Sequence, residues 1–294
     1  MSDNAQFRSG KGAGDENFPV ASWIVGRQHR PIILSFYDFV RTADDIADHP
    51  ALPAAEKLSR LDAMEASLLG RSDDDPEGVR LRRHLQGRGV TPQHALDLLN
   101  AFRQDVTKLR YADWDDLMGY CRLSAMPVGR FVLDVHGESQ ALWSANDALC
   151  AALQIINHLQ DCGADYRNLG RVYVPQDALA GHGLAVEALG ETQASPALRE
   201  CLQDLARRTA LLLQQSRAFS PMLRDTRLAL EVAAIQRLAE RLVDLLQHHD
   251  PLSERVHFGK PQMLMIGLGA VAGAAGRRMF RRATPAYRPQ ARGS

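Results

Sequence analysis

Two sets of paired carboxylates are the residues whose types and spacing speak most directly of chemistry. In Asp44-Asp45-Ile46-Ala47-Asp48, Asp44 and Asp48 fall one turn apart on a single face of a helix, while Asp45 points elsewhere. The run Asn157-His158-Leu159-Gln160-Asp161-Cys162-Gly163-Ala164-Asp165 repeats that spacing with Asp161 and Asp165, and sets Asn157 one turn before Asp161. Both runs lie in long apolar stretches, where a carboxylate needs water, a cation or polar partners. Oxygen-only donors suit Mg2+, which takes a few carboxylates together with substrate phosphates and retains waters. If the two faces oppose each other, they form two rims able to hold Mg2+ around a diphosphate. Spacing alone leaves that proximity open, and it equally allows either run to be an ordinary charged helix surface.

Basic and aromatic residues near the first run extend the picture. Arg41 precedes Asp44 by three residues and Asp45 by four, within reach of diphosphate oxygens, and Arg27, His29 and Arg30 add donors toward an entrance. Tyr37 lies seven residues before Asp44 on the same helical face, where its ring could meet a carbocation. Each of these residues also reads as plain surface or core chemistry. EF-hand and HExxH patterns are absent, and Gly267-Leu268-Gly269-Ala270-Val271-Ala272-Gly273 is GxGxxxG without a preceding strand. That glycine pattern indicates close helix packing and not a nicotinamide site.

The elements that must position these groups are helical almost throughout. Helices are expected from the turn at His29-Arg30-Pro31 to Asp48, from Pro53 through Leu69, from Glu77 to Leu85, and from Pro92 to Lys108. Further helices are expected over Asp113 to Gly137 with a bend at Pro127, Leu142 to Tyr166, Pro196 to Phe219, Pro221 to Gln247, and from Leu252 onward. No linker divides the chain, so an all-α, single-domain fold is expected, with helices surrounding an apolar cavity. The expected organisation is a loose polar segment over 1–17, the helical domain over 18–262, and a hydrophobic then basic extension over 263–294.

Composition narrows the function classes. The chain has 294 residues, with 35 Lys+Arg against 35 Asp+Glu, 45% hydrophobic and 24% charged. That balance excludes disorder throughout and gives no whole-chain case for nucleic-acid binding. Cys121, Cys150, Cys162 and Cys201 have no metal-ligand spacing and read as reduced, packed thiols. The polar start resembles no secretion signal, so a cytoplasmic location is expected. Met263 to Ala275 is apolar but too short for a standard membrane-spanning helix. Followed by Arg277, Arg278, Arg281 and Arg282, it could rest on an anionic membrane surface, and burial against the domain is an equal alternative.

The chain resembles the head-to-head isoprenoid synthases, which include squalene and phytoene synthases, from about Phe18 to Lys260. The resemblance rests on FYDFVRTADDIAD (Phe36 to Asp48), YADWDDLMGYCRLSAMPVGR (Tyr111 to Arg130), INHLQDCGADYRNLGRVYVP (Ile156 to Pro175) and RVHFGK (Arg255 to Lys260). ENFPVASW at Glu16 to Trp23, FRQDVTKLRY at Phe102 to Tyr111 and NHLQDCGADY at Asn157 to Tyr166 look like the hydroxysqualene-forming branch. The resemblance implies one helical isoprenoid-synthase domain. It maps Asp44 and Asp48 onto a first aspartate-rich motif and Asp161 and Asp165 onto a second, as Mg2+ ligands. Ala47, Gln160 and Ala164 depart from the commoner acidic motifs, which weakens a transfer of the full two-step squalene-synthase activity.

The reaction so implied is conversion of presqualene diphosphate and water into hydroxysqualene and diphosphate. Arg41, with Arg171 or Lys260, would fix diphosphate oxygens. Tyr37, Tyr120, Tyr166 and Tyr173, with Phe131, would line the cavity, Asn157 and Gln160 would position water or support ligands, and Asp105 is a further polar candidate. Two alternatives remain at this point: condensation of allylic diphosphates to presqualene diphosphate or phytoene, and a noncatalytic isoprenoid-binding protein. An oligomeric partner is not indicated.

Overall fold

The computed structural model describes residues 26–283, with side chains through Met279. The expected loose segment 1–17, the ENFPVASW motif, the side chains of Arg281 and Arg282, and residues 284–294 lie outside the described residues.

Among the described residues twelve α-helices form one all-α domain, and the one β feature is an isolated bridge between Arg110 and Val172. The first four helices are α1 (Arg30–Asp48), α2 (Ala54–Leu68), α3 (Pro76–Arg88) and α4 (Gln93–Thr107). Their apolar faces converge on Phe39, Ile46, Leu61, Met64, Leu81 and Leu99, all fully buried. Asp75 caps α3 by accepting from Gly78 N at 2.7 Å, and Gly89 ends it in the left-handed region at φ 63°.

One long helix expected over Asp113 to Gly137 is two: α5 (Trp114–Ser124) and α6 (Met126–Val135). Ala125 leaves helical geometry at φ −124° and ψ −48°. Pro127 then sits in the first turn of α6, where its missing N–H has no intrahelical acceptor to lose. The proline therefore starts a new helix instead of bending an old one. Helix α7 (Trp143–Ala164) follows, and its end widens into a π turn over Asp165–Leu169 that Gly170 closes at φ 64°.

After the short α8 (Gln176–Gly181), α9 (Pro196–Ser216) and the single turn α10 (Phe219–Met222) lead to α11 (Thr226–Leu246). Helix α11 starts at Thr226, later than Pro221, because Asp225 caps it by accepting from Leu228 N at 2.9 Å. The last helix, α12 (Lys260–Ala283), also begins later than Leu252. Asp250 captures Leu252 N at 2.9 Å and the Ser253 hydroxyl at 2.7 Å, an Asx-type turn that competes with helix initiation. Helix α12 packs along α11 and buries Ala274, while Leu264, Met265, Leu268 and Met279 stay exposed on its outer side.

The interior holds two apolar clusters. One gathers α1 to α4 with Phe131 and Val135 of α6, and the other gathers α5, α7, α9 and α11. The site occupies the seam between them.

Candidate active site

A cavity of 610 Å3 opens at this seam, in the size range of small-molecule sites. Its lower wall is apolar, with Phe36, Leu98, Phe131, Leu149, Leu228 and Val232 among the lining residues. Its mouth is acidic: Asp44 and Asp48 come from α1, Asp161 from α7 and Asp165 from the π turn. The structure thus brings both carboxylate pairs to one cavity. The 3.6-residue period explains the α1 contribution, because Tyr37, Arg41, Asp44 and Asp48 step down one face at intervals of four, three and four.

The protein's own cations partly hold the carboxylates. Arg41 donates from Nη1 to Asp44 Oδ2 at 2.9 Å and from Nη2 to Asp45 Oδ1 at 2.6 Å. Arg171, nearly buried, donates from Nη1 to Asp48 Oδ1 at 2.5 Å, from Nε to the Asp105 carbonyl at 3.0 Å and from Nη2 to the Ala47 carbonyl at 3.3 Å. On the second face, His158 Nδ1 lies 3.8 Å from Asp165 Oδ2. Burial first, then the charge of Asp48, pushes the Asp44 carboxyl up to about 7, against Arg41 and helped by Asp45 and Asp105. Like charges are therefore crowded at the mouth.

Behind the mouth lies a buried aromatic and polar cluster. Asp105 accepts from the Tyr120 and Tyr173 hydroxyls, each at 2.8 Å. Burial raises the Asp105 pKa while Arg171 and the two tyrosines oppose the rise. Both phenols are held far above their ordinary pKa, chiefly by burial and next by the Asp105 charge, so they stay protonated donors. His158 stacks on Tyr173 with ring centroids 3.6 Å apart, and Tyr120 stands 5.9 Å from the same imidazole.

Of the residues singled out from sequence, Tyr37, Arg41, Asp44, Asp48, Asp105, Tyr120, Phe131, Asn157, Asp161, Asp165, Arg171 and Tyr173 line this cavity. Six do not. His29 is buried against His136, with ring centroids 4.2 Å apart, and Arg30 opens α1 away from the lining. Gln160 precedes Asp161 by one residue and so faces another direction, where its amide donates to the Val256 carbonyl. Tyr166 lies against Gly190, whose absent Cβ would come within 2.8 Å of the ring. Arg27 is exposed in the turn before α1, and Lys260 is exposed at the start of α12.

Ser124, Gln154, His158 and Glu231 also line the cavity and were given no role from sequence. A signal existed for Glu231, a lone acid in the apolar run Leu228 to Ala234, and for His158, three residues before Asp161 and seven before Asp165 on one helical face. Among the described residues, no group of three His, Cys, Asp or Glu side chains stands close enough to hold an ion unaided.

The family model for squalene/phytoene synthase matches residues 12–262. The chain belongs to the squalene/phytoene synthase family. It is 58% identical over 280 residues to a protein named hydroxysqualene synthase from Rhodopseudomonas palustris, covering 95% of this chain and 96% of that one. A second hydroxysqualene synthase, from Sinorhizobium fredii, is 53% identical over 270 residues, 92% of each chain. Among solved structures, a squalene synthase from Alicyclobacillus acidocaldarius is similar with a TM-score of 0.71 and 30% identity, over 83% of this chain and 91% of that one. This family member therefore has the isoprenoid-synthase fold, and the two aspartate pairs are the acidic mouth of its cavity.

Proposed function

We propose that this enzyme converts presqualene diphosphate and water into hydroxysqualene and diphosphate. One observation carries the reading: four carboxylates and two arginines meet at the mouth of a cavity whose depths are apolar. That polarity gradient fits a diphosphate head and two long hydrocarbon arms. The near full-length similarity to proteins named hydroxysqualene synthase supports the water-capturing reaction over condensation.

Asp44, Asp48, Asp161 and Asp165 would hold Mg2+. Their donors are all oxygen, Mg2+ needs only one or two carboxylates when a diphosphate supplies the rest, and a cation would relieve the crowding that raises Asp44. Bound there, Mg2+ neutralises charge on the leaving diphosphate. Arg41 and Arg171 orient the diphosphate oxygens from either side of the first carboxylate pair. The stacked Tyr173 and His158 rings, with Tyr120, face the developing cation, while the apolar wall keeps solvent from it.

Incubation with presqualene diphosphate and Mg2+, without NADPH, tests the reaction. Hydroxysqualene is the expected product, and Asp44→Asn and Asp161→Asn abolish it, as does EDTA. Accumulation of presqualene diphosphate from farnesyl diphosphate, with no conversion of added presqualene diphosphate, would move the protein to the condensation step.

The same reading places the enzyme at a membrane surface. Among the described residues no helix is long and apolar enough to cross a bilayer. Leu264, Met265, Leu268 and Met279 nevertheless expose more than half of their surface on the outer side of α12, beside the exposed Arg277. Arg278 is used internally, donating to the Leu223 carbonyl at 2.9 Å. Co-sedimentation with anionic vesicles, reduced by Leu264→Gln with Leu268→Gln, is the expected outcome. Equal binding of parent and variant would count against this surface.

A further inference from the structure

Water capture demands that one water be held where the rearranged cation ends and kept from where the first cation forms. Polar groups in the deep, otherwise apolar part of the cavity are therefore informative. Ser124, the last residue of α5, lines the cavity, and its hydroxyl oxygen is buried with no hydrogen-bond partner among the described residues. A buried hydroxyl without a partner is costly, so its presence asks for a bound polar species.

Ser124 lies between two contacts with α7: four residues earlier Tyr120 meets His158, and two residues later the Met126 carbonyl accepts from Asn146 Nδ2 at 3.4 Å. Gln154 lies between those two α7 residues and lines the same cavity as Ser124. Gln154 uses its amide Nε2 on His158 Nε2 at 3.0 Å, which leaves the carbonyl oxygen of this cavity-lining side chain as an acceptor. The pair offers a hydroxyl and an amide carbonyl, the partners one water needs.

We propose that Ser124 and Gln154 hold the nucleophilic water, an assignment that rests on the hydroxysqualene-forming reading above. Gln154 lies seven residues before Asp161, about 10 Å down the α7 axis from the second carboxylate pair. The site is thus set apart from the diphosphate, where the first cation forms. Diphosphate leaves with the electron pair of its C–O bond. After rearrangement the water oxygen supplies the pair for the new C–O bond, and the oxonium proton passes through solvent to the diphosphate released in the same turnover. Without a held water, the rearranged cation loses a proton from carbon and ends as an unhydroxylated polyene.

The test is product partition by the full-length protein with presqualene diphosphate, Mg2+ and 18O-labelled water, without NADPH. Ser124→Ala and Ser124→Val are expected to raise the ratio of polyene to labelled alcohol about tenfold, the scale of one lost hydrogen bond. Gln154→Met shifts the ratio the same way, and Ser124→Thr, which keeps a hydroxyl, restores the alcohol. The ratio is read on whatever turnover remains, so a smaller folded fraction does not move it. An unchanged ratio in both Ser124→Ala and Ser124→Val overturns the water site. A parent protein that makes no labelled alcohol overturns the functional reading itself.

Discussion

Arg171 and Asp48, separated by 123 residues, are joined by a 2.5 Å hydrogen-bonded ion pair at the cavity mouth. The guanidinium also binds the Asp105 and Ala47 carbonyls, so one side chain ties the segment after α7 to α1 and to the end of α4. It is 6% exposed, whereas the Asp48 side chain keeps 39% of its surface. Arg171→Met is therefore expected to cost about 2 kcal/mol, below the 3–5 of a fully buried broken pair because solvent screens Asp48. Arg171→Lys restores only part, since an ammonium cannot span three acceptors in a plane. Urea unfolding measures both, and an Arg171→Met protein as stable as the parent would remove the tie.

Asp105 links the tyrosine cluster to pH. Its folded pKa is raised by burial, so its ionisation weighs against the fold increasingly as pH climbs from the ordinary carboxylate range through the folded value. The Tyr120 and Tyr173 hydroxyls offset that cost by donating to the ionised form. Tyr173→Phe is expected to lose about 2 kcal/mol where Asp105 is ionised in the fold, and less once falling pH has protonated it. Unfolding free energies followed downward from alkaline pH into acid give the comparison. A loss that stays constant across that range would sever Tyr173 from the Asp105 titration.

The helical period made much of this site legible. Asp44 with Asp48, and Asp161 with Asp165, had to share faces, and Tyr37 and Arg41 had to follow Asp44, because four-residue spacing fixes direction on any helix. Their convergence was not contained in spacing, because it depends on how two apolar clusters meet at a seam. Gln160 shows the reverse: its polarity suggested the site, but one residue of phase turns it to Val256. Ser124 and Gln154 were silent since serine and glutamine fit a solvated surface equally well. The split between α5 and α6 was hidden too, because proline in a long apolar run can either bend a helix or open the next one.

Gly129 sets how closely α6 approaches α7. A Cβ built there would stand 2.0 Å from Asn146 Oδ1 and 2.7 Å from Cys150 Sγ, both cavity-lining residues. Gly129→Ala must displace the Asn146 and Cys150 side chains or the helix that carries them, and overpacking of this kind costs about 1–3 kcal/mol. The cavity changes shape with them, so KM for the proposed substrate, presqualene diphosphate, should rise. Gly119→Ala, which meets only an arginine tip at 3.6 Å, serves as the comparison at a tolerant position. Equal stability and KM in the two variants would show that the α6–α7 gap is not set by this residue.

Asp250 governs the turn from α11 into the Arg255 to Lys260 segment, whose Val256 carbonyl anchors Gln160. Its side chain is buried and accepts from Ala194 N and Leu252 N, each at 2.9 Å, and from the Ser253 hydroxyl at 2.7 Å. Burial alone would raise its pKa, but these donors, with Arg199, outweigh burial and hold it below the ordinary value. A depressed carboxylate contributes stability that is complete above the unfolded pKa and is lost as pH falls through the folded one. Asp250→Asn should therefore flatten the acid limb of the stability profile below about pH 4. Asp250→Ala goes further and strands buried backbone donors at a cost of about 1–3 kcal/mol at every pH. Urea titrations from pH 7 to pH 3 distinguish the two effects: an acid limb identical in parent and Asp250→Asn would mean that the Asp250 charge takes no part in holding this turn.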